Sequence, residues 1–257
     1  MAAVWSVVIS DSSGEVLMEE NPDAVLSIAS VGKILLLLAI AQRFSDDELE
    51  TIHIDRTTAL PVADSGLWQH LDAVNLSLHD LVVLVASLSD NWATNALIEN
   101  IGLPSVWGAA NAWGLSDTKL LDLVRDVRDE STAPRLAEGT ARELHTLVTA
   151  IAESAPGSPG ARVSSWLQLN TDLSLVASAF GLDPLAHADP SAPVTLWNKT
   201  GTDSGVLVDV GVVKGPRAEV RYSVIVNSGN ADGATHTREL RDAIRTWGVT
   251  IAEITGL

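Results

Sequence analysis

Ser27-Ile-Ala-Ser-Val-Gly-Lys-Ile-Leu-Leu-Leu-Leu-Ala-Ile-Ala-Gln-Arg-Phe44 is apolar on almost every face. A helix without a polar stripe has no solvent side, so it belongs in the middle of a protein. Its most strongly apolar run, Ile34 to Ala41, is far shorter than the ~20 residues needed to cross a bilayer. The stretch therefore predicts a central buried helix, with Lys33 near its start as an isolated charge.

On the amino-terminal side, Val4 to Ser10 is β-branched and aromatic, Asp11-Ser-Ser-Gly14 supplies turn residues, and Val16 to Glu19 reads as the return strand of a hairpin. On the other side, Ser45 to Pro193 is helical in pattern and broken by loops. Helices are expected over Leu78 to Ser87 after a Ser77 cap, over Trp92 to Asn100 ended by Gly102 and Pro104, over Ala133 to Ser154 with Pro134 in the first turn, and over Arg162 to Leu169. Strand patterns return at Thr195 to Thr200, Val206 to Lys214 and Glu219 to Asn227, and Thr235 to Trp247 reads as an amphipathic closing helix. Strands at both ends around a helical middle predict an α+β fold: an antiparallel sheet built from both termini, flanked by helices, with an inserted all-helical lobe. The expected division is 1–45 with 194–257 as the sheet lobe and 46–193 as the all-α lobe.

The 257 residues are 46% hydrophobic and 19% charged, a composition that folds. With 16 basic and 33 acidic residues the net charge is −17, which speaks against nucleic acid or an anionic membrane as partner. The absence of cysteine excludes disulfides, thiolate metal sites and a thiol nucleophile. No Lys or Arg precedes Lys33, and Asp11 and Gly14 come early, so no export signal is expected and the compartment is expected to be cytoplasmic. The six histidines, at 53, 70, 79, 145, 187 and 236, show no ligand spacing, and no metal or cofactor is expected. Gly-x-Ser-x-Gly, His-Glu-x-x-His and phosphate-cradling glycine loops are absent.

Three short stretches carry chemistry. In Ser30-Val-Gly-Lys33 the i, i+3 spacing puts a hydroxyl and an amine on one helical face. A helix amino terminus offers free N–H groups to an oxyanion, and a lysine desolvated there has a lowered pKa and can take the serine proton. The bland alternative is a capping serine and a snorkelling lysine. A second Ser-x-x-Lys, Ser116 to Lys119, lies in an ordinary polar stretch. Ser89-Asp90-Asn91 follows the Leu78 helix and alone is a polar loop. Lys199-Thr200-Gly201 ends a strand, where glycine lets a ligand approach the backbone and Lys and Thr offer a cation and a hydroxyl. Two of only four lysines (33, 119, 199 and 214) sit in these stretches.

Ser-x-x-Lys, Ser-Asp-Asn and Lys-Thr-Gly, in this order and on these elements, resemble the class A β-lactamase and penicillin-binding protein family. The resemblance covers nearly the whole chain, including Asn95, Leu97-Ile98 and Gly102, and Ser131-Thr-Ala-Pro134 where the family starts a helix. It implies Ser30 as the acylated nucleophile, Lys33 as its activator, and Ser89 as the relay to the leaving nitrogen. Asn91 would hold the substrate's side-chain amide, and Lys199 and Thr200, beside Gly201 and Thr202, its carboxylate. The backbone N–H groups of Ser30 and Thr202 would form the oxyanion hole.

The departure lies between Gly114 and Ser131. The family's lactamases carry Glu-x-x-Leu-Asn there, and no such sequence is present. Asp122, Asp126 and Asp129 substitute only if the loop folds differently; otherwise they pair with Arg125 and Arg128. The helix that usually precedes the first strand is also expected to be missing. Three functions follow: a serine hydrolase acting on a β-lactam or related amide or ester; a penicillin-binding or esterase-like relative that acylates but clears lactams slowly; or a non-enzymatic module that keeps the cleft as a pocket for a small molecule. Trp92 and Trp197 flank two of the motifs and either line the cleft or pack in the core.

Overall fold

In a computed structural model the described residues are 3–189, 191–229 and 234–257, with the backbone alone described for 234–236. Met1 and the His236 side chain, on which two of the expectations above touch, lie outside the described residues.

The strands are β1 (Val4–Asp11), β2 (Val16–Glu20), β3 (Leu26–Ser27), β4 (His53–Asp55), β5 (Asn75–Ser77), β6 (Lys119–Leu120), β7 (Ala137–Gly139), β8 (Thr195–Asp203), β9 (Val206–Lys214) and β10 (Glu219–Asn227). The helices are α1 (Lys33–Arg43), α2 (Asp46–Thr51), α3 (Leu78–Leu88), α4 (Asn91–Ile101), α5 (Leu103–Ala112), α6 (Ala141–Ala152), α7 (Pro159–Leu167) and α8 (Ala234–Thr255). The main sheet runs β2-β1-β10-β9-β8, antiparallel throughout, so strands from both ends of the chain are neighbours. β8, which carries Lys199 to Thr202, is an edge strand.

Successive strand residues point to opposite faces, and both faces are covered here. Val8, Val208, Val210, Val212 and Ile225 pack with α1 and the helices around it. Val7, Ile9, Val213, Val224 and Val226 pack with Leu240, Ile244 and Ile251 of α8. Two-sided burial explains why Val206 to Val213 is apolar with little alternation. Ile34 to Ala41 of α1 are all buried, as its unbroken apolar surface requires.

Two helix starts differ from the pattern reading. Ser27 closes the short strand β3, and Ala29–Gly32 form one 3₁₀ turn before α1 begins at Lys33. Ala29 sits at φ +44°, a left-handed conformation that no α-helix accommodates. The helix expected from Ala133 begins only at Ala141. Ala137–Gly139 are drawn into a ladder with β3 and β6, and Thr140 then caps α6 by accepting from the Glu143 N–H. Pro134 therefore lies in a loop, and Ser131-Thr-Ala-Pro134 starts no helix. Side-chain capping sets other boundaries: Ser77 and Asp80 form a reciprocal box at α3, and Ser158 caps α7 ahead of Pro159.

The segment between β6 and β7 has no regular structure of its own. One buried side chain ties it down. Asn95 of α4 donates to the carbonyls of Leu60 (3.1 Å) and Val124 (2.9 Å) and accepts from the Val124 N–H (2.8 Å). Asn95→Ala would leave these backbone groups without partners, each costing about 1–3 kcal/mol when buried. We expect a loss of roughly 3 kcal/mol or more in urea unfolding; a change below ~0.5 kcal/mol would show that the segment is held elsewhere.

Candidate active site

Ser30 lies in the 3₁₀ turn, half-buried, on the wall of a cleft of about 260 Å³. Neither this turn nor α1 receives a side-chain cap, and Gly32 occupies the cap position of α1. The Ser30 hydroxyl is thus not spent on capping. Lys33, three residues on, is 0% exposed. Its Nζ donates to the Ser89 carbonyl (2.6 Å), the Ser89 hydroxyl (3.1 Å) and Asn91 Oδ1 (2.7 Å). Burial first, and then the charge of Lys199, push the amine well below the usual lysine range, against smaller opposing effects of Asp90 and Asp64. The snorkelling alternative does not hold, because this amine turns inward to fixed acceptors.

Those acceptors come from the joint between α3 and α4. Ser89 ends α3 at φ +56°, a strained conformation for a residue with a side chain. Asp90, 1% exposed, caps α4 through Ala93 N–H and accepts from Leu67 N–H (2.7 Å) and Trp68 N–H (2.8 Å). It is a structural anchor. Asn91 is thereby fixed as the first residue of α4, donating Nδ2 to Asp64 Oδ2 at 3.3 Å.

The opposite wall is β8. A Cβ on Gly201 would stand 2.5 Å from the Ile28 carbonyl and 3.1 Å from the Ser30 nitrogen. Glycine is required because the strand lies directly on the serine turn, which brings Thr200 and Thr202 into the same cleft as Ser30. Lys199 is 0% exposed and donates to the Thr200 carbonyl (2.9 Å). Burial lowers its pKa to about 8, with Asp172 and Asp209 acting the other way. Behind the strand, Asn170 donates to Asn198 Oδ1 (2.8 Å), and Asn198 donates to Asp209 (3.0 Å). Burial raises the Asp209 carboxyl to about 7.

The expected residues are thus brought together: Ser30, Ser89, Asn91, Thr200 and Thr202 line one cleft. Lys33 bonds to its wall, Lys199 lies within the β8 wall, and Gly201 makes the close approach. Among the lining residues that sequence reading missed are two carboxylates, Asp64 and Asp172. Both lie outside regular elements, where no periodicity marks them. Trp92 and Trp197 do not line the cleft. Trp92 stacks at an angle on Trp68 beneath the Arg56 guanidinium, and Trp197 is in the core.

None of Asp122, Asp126, Asp129 and Glu130 lines the cleft either. Asp122 accepts from both Arg125 and Arg128, whereas Asp126 faces the Ala63 N–H and Asp129 closes a turn with Ser131. The second Ser-x-x-Lys is structural: Ser116 donates to the Glu143 carboxylate, which also accepts from the Asp117 and Thr118 N–H groups, and Lys119 is exposed. Among the described residues no cluster of His, Asp and Glu is arranged to hold a metal ion. Among them, too, no helix is long and apolar enough to cross a membrane.

A five-stranded antiparallel sheet with helices on both faces and a serine turn against its edge strand is the β-lactamase/transpeptidase-like fold. The β-lactamase from Sphaerobacter thermophilus DSM 20745 matches at TM-score 0.80 and 23% identity, over 99% of this chain and 92% of that one. PBP-A matches at TM-score 0.76 and 18% identity, over 98% and 89%. The class A β-lactamase from Mycobacterium abscessus matches at 0.76 and 18%, over 98% and 94%. No curated protein sequence matches significantly. The sequence model described as "Beta-lactamase enzyme family" matches residues 2–254. The chain belongs to that family and is a serine hydrolase acting on a small molecule.

The raised pKa of Asp209 has a consequence for stability. The folded protein keeps this proton up to about pH 7, whereas an unfolded chain releases it near the usual carboxylate value. Its contribution is therefore whole at low pH and is lost as pH rises towards 7. Urea unfolding of the wild type and Asp209→Asn at pH 5, 6, 7 and 8 should show the variant gaining, relative to the wild type, on the order of 1 kcal/mol per pH unit up to 7. A difference independent of pH would mean that the carboxylate is ionised throughout.

Proposed function

We propose that the cleft acylates Ser30 with a β-lactam or a related amide or ester. The observation that carries this reading is the wholly buried Lys33 amine, held against Ser89 and Asn91 with a depressed pKa. An amine whose pKa is lowered by burial gives up its own proton, and so becomes able to take the serine's, more readily than a solvated lysine does.

The steps balance as follows. The Ser30 hydroxyl adds to the substrate carbonyl and its proton passes to Lys33. The tetrahedral oxyanion lies against the backbone N–H groups of Ser30 and Thr202, in a wall held close by Gly201. The proton then moves from Lys33 through the Ser89 hydroxyl to the leaving nitrogen or oxygen, and an ester to Ser30 remains. Asn91 orients the acyl side chain, and Lys199, Thr200 and Thr202 form the wall against which the substrate's end group rests. Hydrolysis of the ester needs a water and a base. Because none of the carboxylates of the loop before β7 lines the cleft, the second reading, of rapid acylation and slow deacylation, is favoured over rapid lactam turnover.

Time-resolved intact mass spectrometry with a penicillin should show an adduct of unchanged substrate mass on the wild type and none on Ser30→Ala. Product release without build-up of the adduct would overturn slow deacylation, and an adduct on Ser30→Ala would overturn the nucleophile. Lys33→Ala should slow acylation by about 10²–10⁴, the range for removal of a general base. The pH profile gives an independent check. With a base whose pKa is depressed, acylation levels off well before the usual lysine pKa; a rate still climbing tenfold per unit at pH 10 would show Lys33 to be an ordinary ammonium.

A further inference from the structure

Asp172 stands where the proposed reaction needs room for the substrate's end group. Its Oδ2 accepts the Thr200 hydroxyl at 2.7 Å, and its Oδ1 accepts the Ser174 N–H at 3.1 Å. Burial works to raise the Asp172 carboxyl, but the Ser174 and Thr200 bonds and the Lys199 charge outweigh it and hold it below the ordinary value. The hydroxyl that would receive a substrate carboxylate is thus already donated to a carboxylate of the protein, and the nearby Lys199 charge already acts on that same carboxylate.

Nothing in the cleft restores the balance. No Lys or Arg is among the residues lining it, whereas Asp64 and Asp172 both are. Lys33 and Lys199 are wholly buried, and their Nζ atoms point to fixed oxygens of the protein. The chain as a whole carries −17, so the long-range field gives an anionic end group no help. Asp172 still has lone pairs to spare beyond its bonds with Thr200 and Ser174, and these suit a donor.

We propose that Asp172 is a specificity-determining residue that selects substrates whose end group beside Thr200 is a hydrogen-bond donor, a protonated amine or a primary amide, over those that end in a carboxylate. The inference rests on the acylation reading above for the site it concerns, and it is tested first without chemistry. Three amides that share one acyl side chain and end in a carboxylate, a carboxamide or a primary ammonium are titrated calorimetrically into Ser30→Ala, Ser30→Ala/Asp172→Asn and Ser30→Ala/Asp172→Ser. Two replacements of Asp172 are used so that a folding defect in one does not decide the outcome.

In the Ser30→Ala protein the ammonium and carboxamide should bind roughly 10–100-fold more tightly than the carboxylate, the scale set by one charge at 4–6 Å. Removing Asp172 should shrink or reverse that order. Carboxylate preferred with Asp172 present, an order unchanged by both replacements, or no binding of any of the three would each overturn the proposal. Matching esters are then tested on the wild type by intact mass. Adducts formed fastest with the carboxylate ester would overturn the selectivity and leave acylation standing. Absence of any adduct, with the binding order intact, would overturn acylation and leave the selectivity standing.

Discussion

The organisation of this protein depends on one amine with no water around it. Lys33 is the only charge between Arg43 and the start of a helix otherwise built of aliphatic side chains. Burying an ammonium is costly unless it is fully bonded or gives up its proton. Here three acceptors, all from Ser89 and Asn91, converge on it. The requirement works in both directions. The amine fixes the α3–α4 joint against the central helix, and the joint makes a lysine tolerable in the core. Burial, which sets the folding constraint, also lowers the pKa of the amine, and the proposed role of Lys33 as base draws on that.

The geometry around that amine is held by strain and close approach. Ala29, just before Ser30, and Ser89 both occupy left-handed backbone conformations, each costing on the order of 1–3 kcal/mol for a residue with a Cβ. Such conformations persist only where the surroundings over-determine them. For Ser89 the fixing elements are the end of α3, the Asp90 cap and the bond to Lys33. For Ala29 they include β8, which passes so near that only glycine fits at position 201. Two hydroxyls and the edge of a sheet are thereby set around one volume before any ligand enters, which is how a site avoids reorganisation during reaction.

Much of this was legible in the sequence because it rests on patterns with a period or a fixed spacing. The central helix, the hairpin at the amino terminus and the three late strands follow from hydrophobic periodicity, and the three motifs fall close to the elements expected for them, with Ser30 in a 3₁₀ turn ahead of the helix rather than on it. What was not legible depends on tertiary pairing. Nothing local announces that Ala137–Gly139 leave a helical pattern to join β3 and β6, or that the left-handed Ala29 holds back the start of the helix to Lys33. Asp64 and Asp172 are single carboxylates in irregular segments, and only the folded chain shows which hydroxyl or amide each one meets. The acids between Gly114 and Ser131 were conspicuous in sequence, yet Asp122 is taken up by two arginines and none of the others lines the cleft.

The charges of the site form a single balance rather than a set of independent roles. The charge of Lys199 adds to burial in lowering the Lys33 pKa, while Asp172 and Asp209 hold charge on Lys199. Asp209 itself sits between a burial that favours its proton and bonds from Asn198 and Tyr222 that favour its loss. A proton added at one of these four groups therefore shifts the others, and their titrations belong to the cluster rather than to single residues. In such an arrangement an incoming ligand is chosen by the charge it adds. A carboxylate placed beside Thr200 would compete with Asp172 for the same hydroxyl, whereas a donor would complete the set. That difference follows from the placement of one aspartate on one threonine, and it holds whatever the acyl group on the far side of the scissile bond.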